Sequence, residues 1–252
     1  MELSGNKLFY LGWVGGLTFL AGAINICAIL LIGSTITHYT GNVSNAAIAL
    51  ANNNLNHFGS YFSIILLFFI GSAFSGYLIH EADPGVQKSY FWLPIAFGIL
   101  TILIYAMTKS QATMLAWFAL GMGAQNGTSL RIRGVVVRTT HMTGYLTDAA
   151  VCMGKALHGH HEDRWKLPFY LISALWFFAG GVLSTYLFKL MGTRMVLVLG
   201  GLYIFMGVYL KLGFAAGIYQ EDSTAETAND GLREQPGFLL AWNKLTGHRS
   251  SH

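Results

Sequence analysis

Residues 37–50 read THYTGNVSNAAIAL, and residues 140–153 read THMTGYLTDAAVCM. Each stretch opens on Thr-His-x-Thr-Gly, continues into a polar pair (Ser44-Asn45, Thr147-Asp148) and reaches Ala-Ala. The likeness extends outward in both directions. GAIN (22–25) precedes the first copy and GAQN (123–126) the second, while FFIGSAFSGYL (68–78) and FFAGGVLSTYL (177–187) follow them. Gly33 and Gly134 keep the same distance from Asn25 and Asn126. Coincidence among Ala, Gly, Phe and Leu does not reproduce polar residues at matched spacing, so the chain reads as an internal duplication.

Of the 252 residues, 54% are apolar and 10% charged, against about a quarter charged in an average soluble domain. Residues 8–80 hold no Asp, Glu, Lys or Arg. A water-facing surface of that length needs charge. A bilayer-embedded one excludes it, because a central charge costs roughly 3 kcal/mol or more. Cys27 and Cys152 lie in apolar or small-residue stretches and make no disulfide framework. The net charge of +4 sits mostly in loops between apolar runs, which does not point to nucleic acid. The first apolar run is too long for a cleavable signal peptide and is followed by no small-residue cleavage site.

A crossing needs about 20 apolar residues. Candidate spans are 8–33, 58–80, 90–108, 112–130, 167–189 and 194–212. Two shorter helical stretches, about 43–54 and 146–157, follow the repeated phrase; about 12 residues rise only about 18 Å, too little to cross alone. Counting them as crossings gives eight spans and an even split of basic residues. Treating them as re-entrant gives six, and leaves only Lys109, Lys189 and Arg194 opposite the N-terminus. The six-span reading obeys the positive-inside rule and puts both termini in the cytoplasm. The expected fold is all-α, with a membrane domain over 1–212. Its repeats cover about 8–108 and 112–212, each with one broken segment and a short re-entrant helix. Three crossings per repeat is an odd number, so the repeats are inverted. The remainder, 213–252, reads as a polar cytoplasmic tail, with QEDSTAETANDG (220–231) as linker and GFLLAWNKL (237–245) as a candidate surface helix.

Irregular backbone at membrane depth survives where protein buries it or a wet cavity adjoins it. THYTGN and THMTGY read as such breaks, with Thr40 or Asn42, and Thr143, as N-caps of the helices that follow. Two inward-pointing helix N-termini then offer free N–H groups to an anion or polar solute. The expected solute-binding residues are Asn25, His38, Thr40, Gly41, Asn42, Asn45, Asn126, His141, Thr143, Gly144, Thr147 and Asp148. Asn25 and Asn126 lie inside their spans as cavity-lining groups, and Gln125 and Thr128 add polarity to the second copy. Asp148 is the one acid placed near membrane depth, where an acid is a functional candidate by default; a salt bridge to Arg131, Arg133 or Arg138 is the structural alternative. The competing reading of the Thr and Gly residues is close helix packing. HGHHEDRW (158–165) carries imidazoles and carboxylates but matches no zinc spacing, and reads as a solvated loop. No phosphate loop, nucleophile elbow or zinc-protease motif is present.

The two signature stretches, GAIN…GSTITHYTGNVSNAAIALA and GAQNGTSLRIRGVVVRTTHMTGYLTDAA, resemble those of the YoaK family of bacterial membrane proteins, grouped as DUF1275. The resemblance covers about 8–212. It implies about six spans in a bacterial inner membrane and supplies no activity. Relatives commonly carry an acid where this chain has Asn25, so proton coupling through that position is not expected here. The function expected is a transporter or permease for a small polar or anionic solute, without metal or cofactor, with the lipid bilayer as its setting and a homo-oligomer as an open option. A membrane-embedded enzyme using His38, His141 and Asp148, and a non-transporting scaffold, are the alternatives.

Overall fold

A computed structural model of the chain describes residues 5–78, 88–108, 110–128, 130–132, 135–160 and 163–218. The tail segments at 220–231 and 237–245 lie outside the described residues. The fold is almost wholly helical: α1 (Gly5–Ile32), α2 (Tyr39–Ala51), α3 (Leu55–Leu78), α4 (Trp92–Thr108), α5 (Gln111–Gly127), α6 (Met142–Leu157), α7 (Lys166–Met191) and α8 (Met195–Ala215). One small antiparallel hairpin, β1 (Leu130–Ile132) with β2 (Val135–Val137), lies between α5 and α6.

Among the described residues, three stretches are long and apolar enough to cross a membrane: Leu8–Ile32, Leu55–Leu78 and Lys166–Ala215, the last taking in both α7 and α8. Trp92–Thr108 is apolar but shorter, at 17 residues. These helices are compatible with a membrane protein. α3 and α7 carry large apolar side chains on their outer faces, Phe69 at 68% and Phe178 at 69% exposure among them.

Local chemistry sets where helices stop. α1 ends at Gly33, whose N–H still bonds Ile29 O at 2.8 Å and whose positive φ of 78° turns the chain out of the helix. α2 and α6 share one termination. Asn53 (φ 55°) and Gly159 (φ 93°) take the left-handed conformation. The next residues, Asn54 and His160, donate to the carbonyls of Ala49 and Lys155 at 2.9 and 3.0 Å. Asn and Gly are the residues that tolerate this backbone best.

The long helices pack in crossed pairs. α1 lies on α7, α3 on α5 and α4 on α8, while α2 packs on α3 and α6 on α7. A Cβ on Gly22 or Gly180 would strike the carbonyls of Phe177 and Phe19 in the α1–α7 pair. One on Gly123 or Gly71 would strike those of Phe68 and Leu120 in the α3–α5 pair. These are corresponding residues of the two repeated stretches, so the same backbone-to-backbone approach is built twice. Gly98 and Gly200 meet each other's carbonyls where α4 crosses α8.

Contacts also fix the running directions. Gly15 sits by Trp176 and Ile26 by Gly181, so α1 and α7 run parallel. Gly123 sits by Phe68 and Gly127 by Ser75, so α3 and α5 run parallel. Phe9 stacks on Tyr209 at 4.6 Å while Gly16 meets Met206, so α8 opposes α1. Tyr105 bonds Thr193 at 2.9 Å while Ile95 meets Gly207, so α8 also opposes α4. Trp117 reaches Thr101 and Gly121 meets Phe97, so α5 opposes α4. Consequently α1 and α5, which carry GAIN and GAQN, run in opposite directions.

Two expectations are corrected. The short helices begin at Tyr39 and Met142 rather than near 43 and 146. Thr40, Gly41 and Asn42 are therefore helical, as are Thr143 and Gly144, and the irregular backbone lies upstream. The N-cap positions fall to His38 and His141, neither with a side-chain capping bond, and not to Thr40, Asn42 or Thr143. One turn further on, the Ser44 and Thr147 hydroxyls donate back to the main-chain carbonyls of Thr40 and Thr143 at 3.0 and 2.9 Å.

Candidate functional site

After α1 the chain folds back against α1 itself. Asn25 Oδ1 accepts from the backbone N–H groups of Ile36 and Thr37 at 3.1 and 3.2 Å. Asn42, 1% exposed, closes the loop by donating to Thr35 O at 2.9 Å. Tyr39, the first residue of α2, then packs its ring on Phe68 at 3.8 Å between centroids. Phe68 is midway along α3. α2 therefore starts at half the depth of α3 and runs back toward the beginning of α3.

The second copy repeats this with different side chains. Asn126 Nδ2 donates to Thr140 Oγ1. Tyr145, at the place of Asn42, accepts from Arg138 N–H at 2.8 Å. Met142, at the place of Tyr39, shares a groove wall with Phe177, midway along α7. Asn25 and Asn42 are thus spent on holding irregular backbone, and Asn126 in part on the Thr140 side chain within it, which is a positioning role. Asn126 Oδ1 remains buried without a protein partner.

Gly41 and Gly144 have a shared reason. The ring of His38 lies over Gly41, where a Cβ would come to 2.6 Å from its Cδ2. The ring of His141 lies over Gly144 at 3.0 Å by the same measure. The Thr-His-x-Thr-Gly phrase is therefore a helix start in which the His ring folds across the first turn and Gly makes room for it.

The remaining expected residues point outward. His38, Thr40, Asn45, His141, Thr143, Thr147 and Asp148 are exposed on the chain's surface. They lie at the starts of α2 and α6 beside exposed apolar residues, Val43 and Ile48 on one helix and Leu146 and Val151 on the other. Among the described side chains, no cation pairs with Asp148. Two cavities are described, and neither is lined by both copies. One, of about 200 Å³, is mixed in character and bounded by Asn45, Ile48, Asn52, Asn54, His57 and Tyr61 at the α2–α3 turn. The other, of about 400 Å³, is apolar and lies between α1, α6 and α7.

A buried network that the sequence reading valued only as polarity centres on Gln125. Its Nε2 donates to Leu17 O (3.0 Å) and to Thr139 Oγ1 (2.7 Å), and its Oε1 accepts from Tyr203 OH (2.8 Å). It ties the second break to α1 and α8. The first copy has Ile24 and Ile36 at the places of Gln125 and Thr139, both fully buried. The signal was available: Gln in GAQN where GAIN has Ile is a polar group in an apolar helix, and burial demands partners for it.

In the His-rich loop, Lys166 hydrogen-bonds Asp163 at 2.7 Å and Lys155 lies 3.9 Å away. The Lys166 hydrogen bond holds the Asp163 carboxyl below the usual carboxylate range. Asp163 is thus committed to lysines, and no cluster of three metal-ligating side chains occurs among the described residues.

The family described as a protein of unknown function, DUF1275, matches residues 14–209. No match was found among the curated proteins or among the solved structures.

Proposed function

The chain belongs to the DUF1275 family, whose function is unknown, and from its own geometry we propose that it is a membrane transporter or permease for a small polar or anionic solute. In this reading six long helices cross the bilayer as two inverted repeats of three, with both termini cytoplasmic. The alternating helix directions and the twice-built glycine crossings support it. The solute contacts the exposed starts of α2 and α6: His38, Thr40, Gly41 and Asn45 on one, His141, Thr143, Gly144, Thr147 and Asp148 on the other, with Asn25, Asn42 and Asn126 holding the breaks behind them.

One observation carries the proposal. Each half-length helix starts midway along a long apolar helix, at Phe68 and at the wall of Phe177. In a bilayer those starts sit near the midplane, where free N–H groups and exposed hydroxyls face hydrocarbon unless solute, water or protein meets them. Helix N-termini carry partial positive charge and favour anionic groups.

The test is uptake into proteoliposomes, screened with small organic acids, amino acids and sugars as probes. The expected result is uptake by the wild type that drops in His38→Ala, Gly41→Leu and Asp148→Asn variants. Gly41→Leu pushes the His38 ring off the helix start. Uptake unchanged in all three removes the site assignment.

A scaffold role is favoured by one specific observation: neither described cavity joins the two copies. It predicts no uptake of any probe by protein that is folded and correctly inserted.

A further inference from the structure

The two halves differ at one position that decides whether a groove is filled. In the first half, Tyr39 lays its ring on Phe68 and is partly buried there. In the second half the same place in the phrase is Met142, and the same place in the FF stretch is Phe177. Here a groove of about 400 Å³ stays open, lined by Ile26, Met142, Phe177, Gly181 and Val182 among others. Its one hydroxyl, on Thr185, is already donated to Gly181 O at 3.0 Å. The groove therefore offers an occupant almost entirely apolar contact, and water gains little hydrogen bonding in it.

The groove adjoins the face of α7 that shows Leu175 and Phe178, at 64% and 69% exposure. In a membrane that face meets hydrocarbon. We infer that the groove binds one acyl chain of a bilayer phospholipid. The lipid tail does in the second half what the Tyr39 ring does in the first. It packs the middle of the long helix and seals the start of α6 from the bilayer. The inference depends on the membrane setting and not on transport.

Swapping the two residues tests it. Wild type, Met142→Tyr and Tyr39→Met are placed in nanodiscs of phosphatidylcholine carrying a photoactivatable diazirine near the end of one acyl chain. Adducts are mapped by peptide mass spectrometry, with melting curves confirming that each variant is folded. Wild type is expected to concentrate adducts on the peptides holding Met142–Leu146 and Phe177–Val182. Met142→Tyr, which fills the groove from within, is expected to lower those adducts roughly tenfold relative to the rest of α7, the change that about 1.4 kcal/mol of lost binding produces. Tyr39→Met is expected to raise new adducts on the peptide holding Phe68–Ala73. Labelling spread evenly over α3 and α7 in wild type overturns the inference. So does labelling at Phe177–Val182 that survives in Met142→Tyr. If Met142→Tyr does not fold, Tyr39→Met decides alone: no gain on the α3 peptide overturns the inference.

Discussion

Gly123 and Gly180 set how closely their helices approach, and each has a main-chain carbonyl of the facing helix where a Cβ would go. Backbone cannot retreat as a flexible side chain can. Gly123→Leu and Gly180→Leu are each expected to cost about 1–3 kcal/mol or more through overpacking, read as a lowered melting temperature in detergent. Gly201, with open space around it, is the control: Gly201→Ala is expected to melt with the wild type. At Gln125, replacement by Leu leaves the Tyr203 hydroxyl buried without its acceptor. That loss is expected to cost about 1–3 kcal/mol, and Gln125→Leu with Tyr203→Phe is expected to be less destabilised than the sum of the two singles. An additive pair in that cycle would mean the hydrogen bond contributes nothing. At this scale the sequence was legible in pattern and not in role. Asn25 and Asn126 were readable as buried polar groups because they interrupt apolar helices. That Asn25 holds loop backbone and Asn126 the Thr140 hydroxyl follows from a loop folding back on its own helix, a long-range event no local pattern records.

At the scale of elements, the long helices were legible because hydrocarbon-length apolar runs leave little choice. The starts of the short helices were not. Thr and Gly lower helix propensity, which placed Thr40–Asn42 in irregular backbone. Packing overrides propensity there: Tyr39 docks on Phe68, Asn42 anchors to Thr35, and the His38 ring covers Gly41. The β1–β2 hairpin was likewise illegible, because RIRGVVVR is a short run between two helical stretches with too little alternation to mark a strand pair. The exposed starts of α2 and α6 are where the proposed solute binds. If both helices serve the solute, His38→Ala and His141→Ala should each lower uptake. A loss in only one would assign the site to a single half.

For the whole molecule, the duplicated sequence and the paired contacts describe one plan used twice. α1 meets α7 through the same residues by which α5 meets α3, and α4 meets α8 at Gly98 and Gly200. The duplication was readable because its matches are polar and regularly spaced. The exchange, in which the first helix of each half packs on a helix of the other half, was not, since pairing between halves leaves no mark in spacing. The departures from the plan were visible as Gln125 against Ile24 and Met142 against Tyr39, but only contacts give them meaning: one locks a break, the other opens a groove.

The central claim is that the two half-length helices enter from opposite faces. Cys27 and Cys152 are both buried; replacing each with Ala leaves a background for single cysteines at Asn56 and at His160, both exposed. A membrane-impermeant maleimide applied to intact inside-in cells and to inverted vesicles reads the side of each. Asn56→Cys is expected to label from outside and His160→Cys only from the cytoplasmic side. Labelling of both from the same side contradicts the claim.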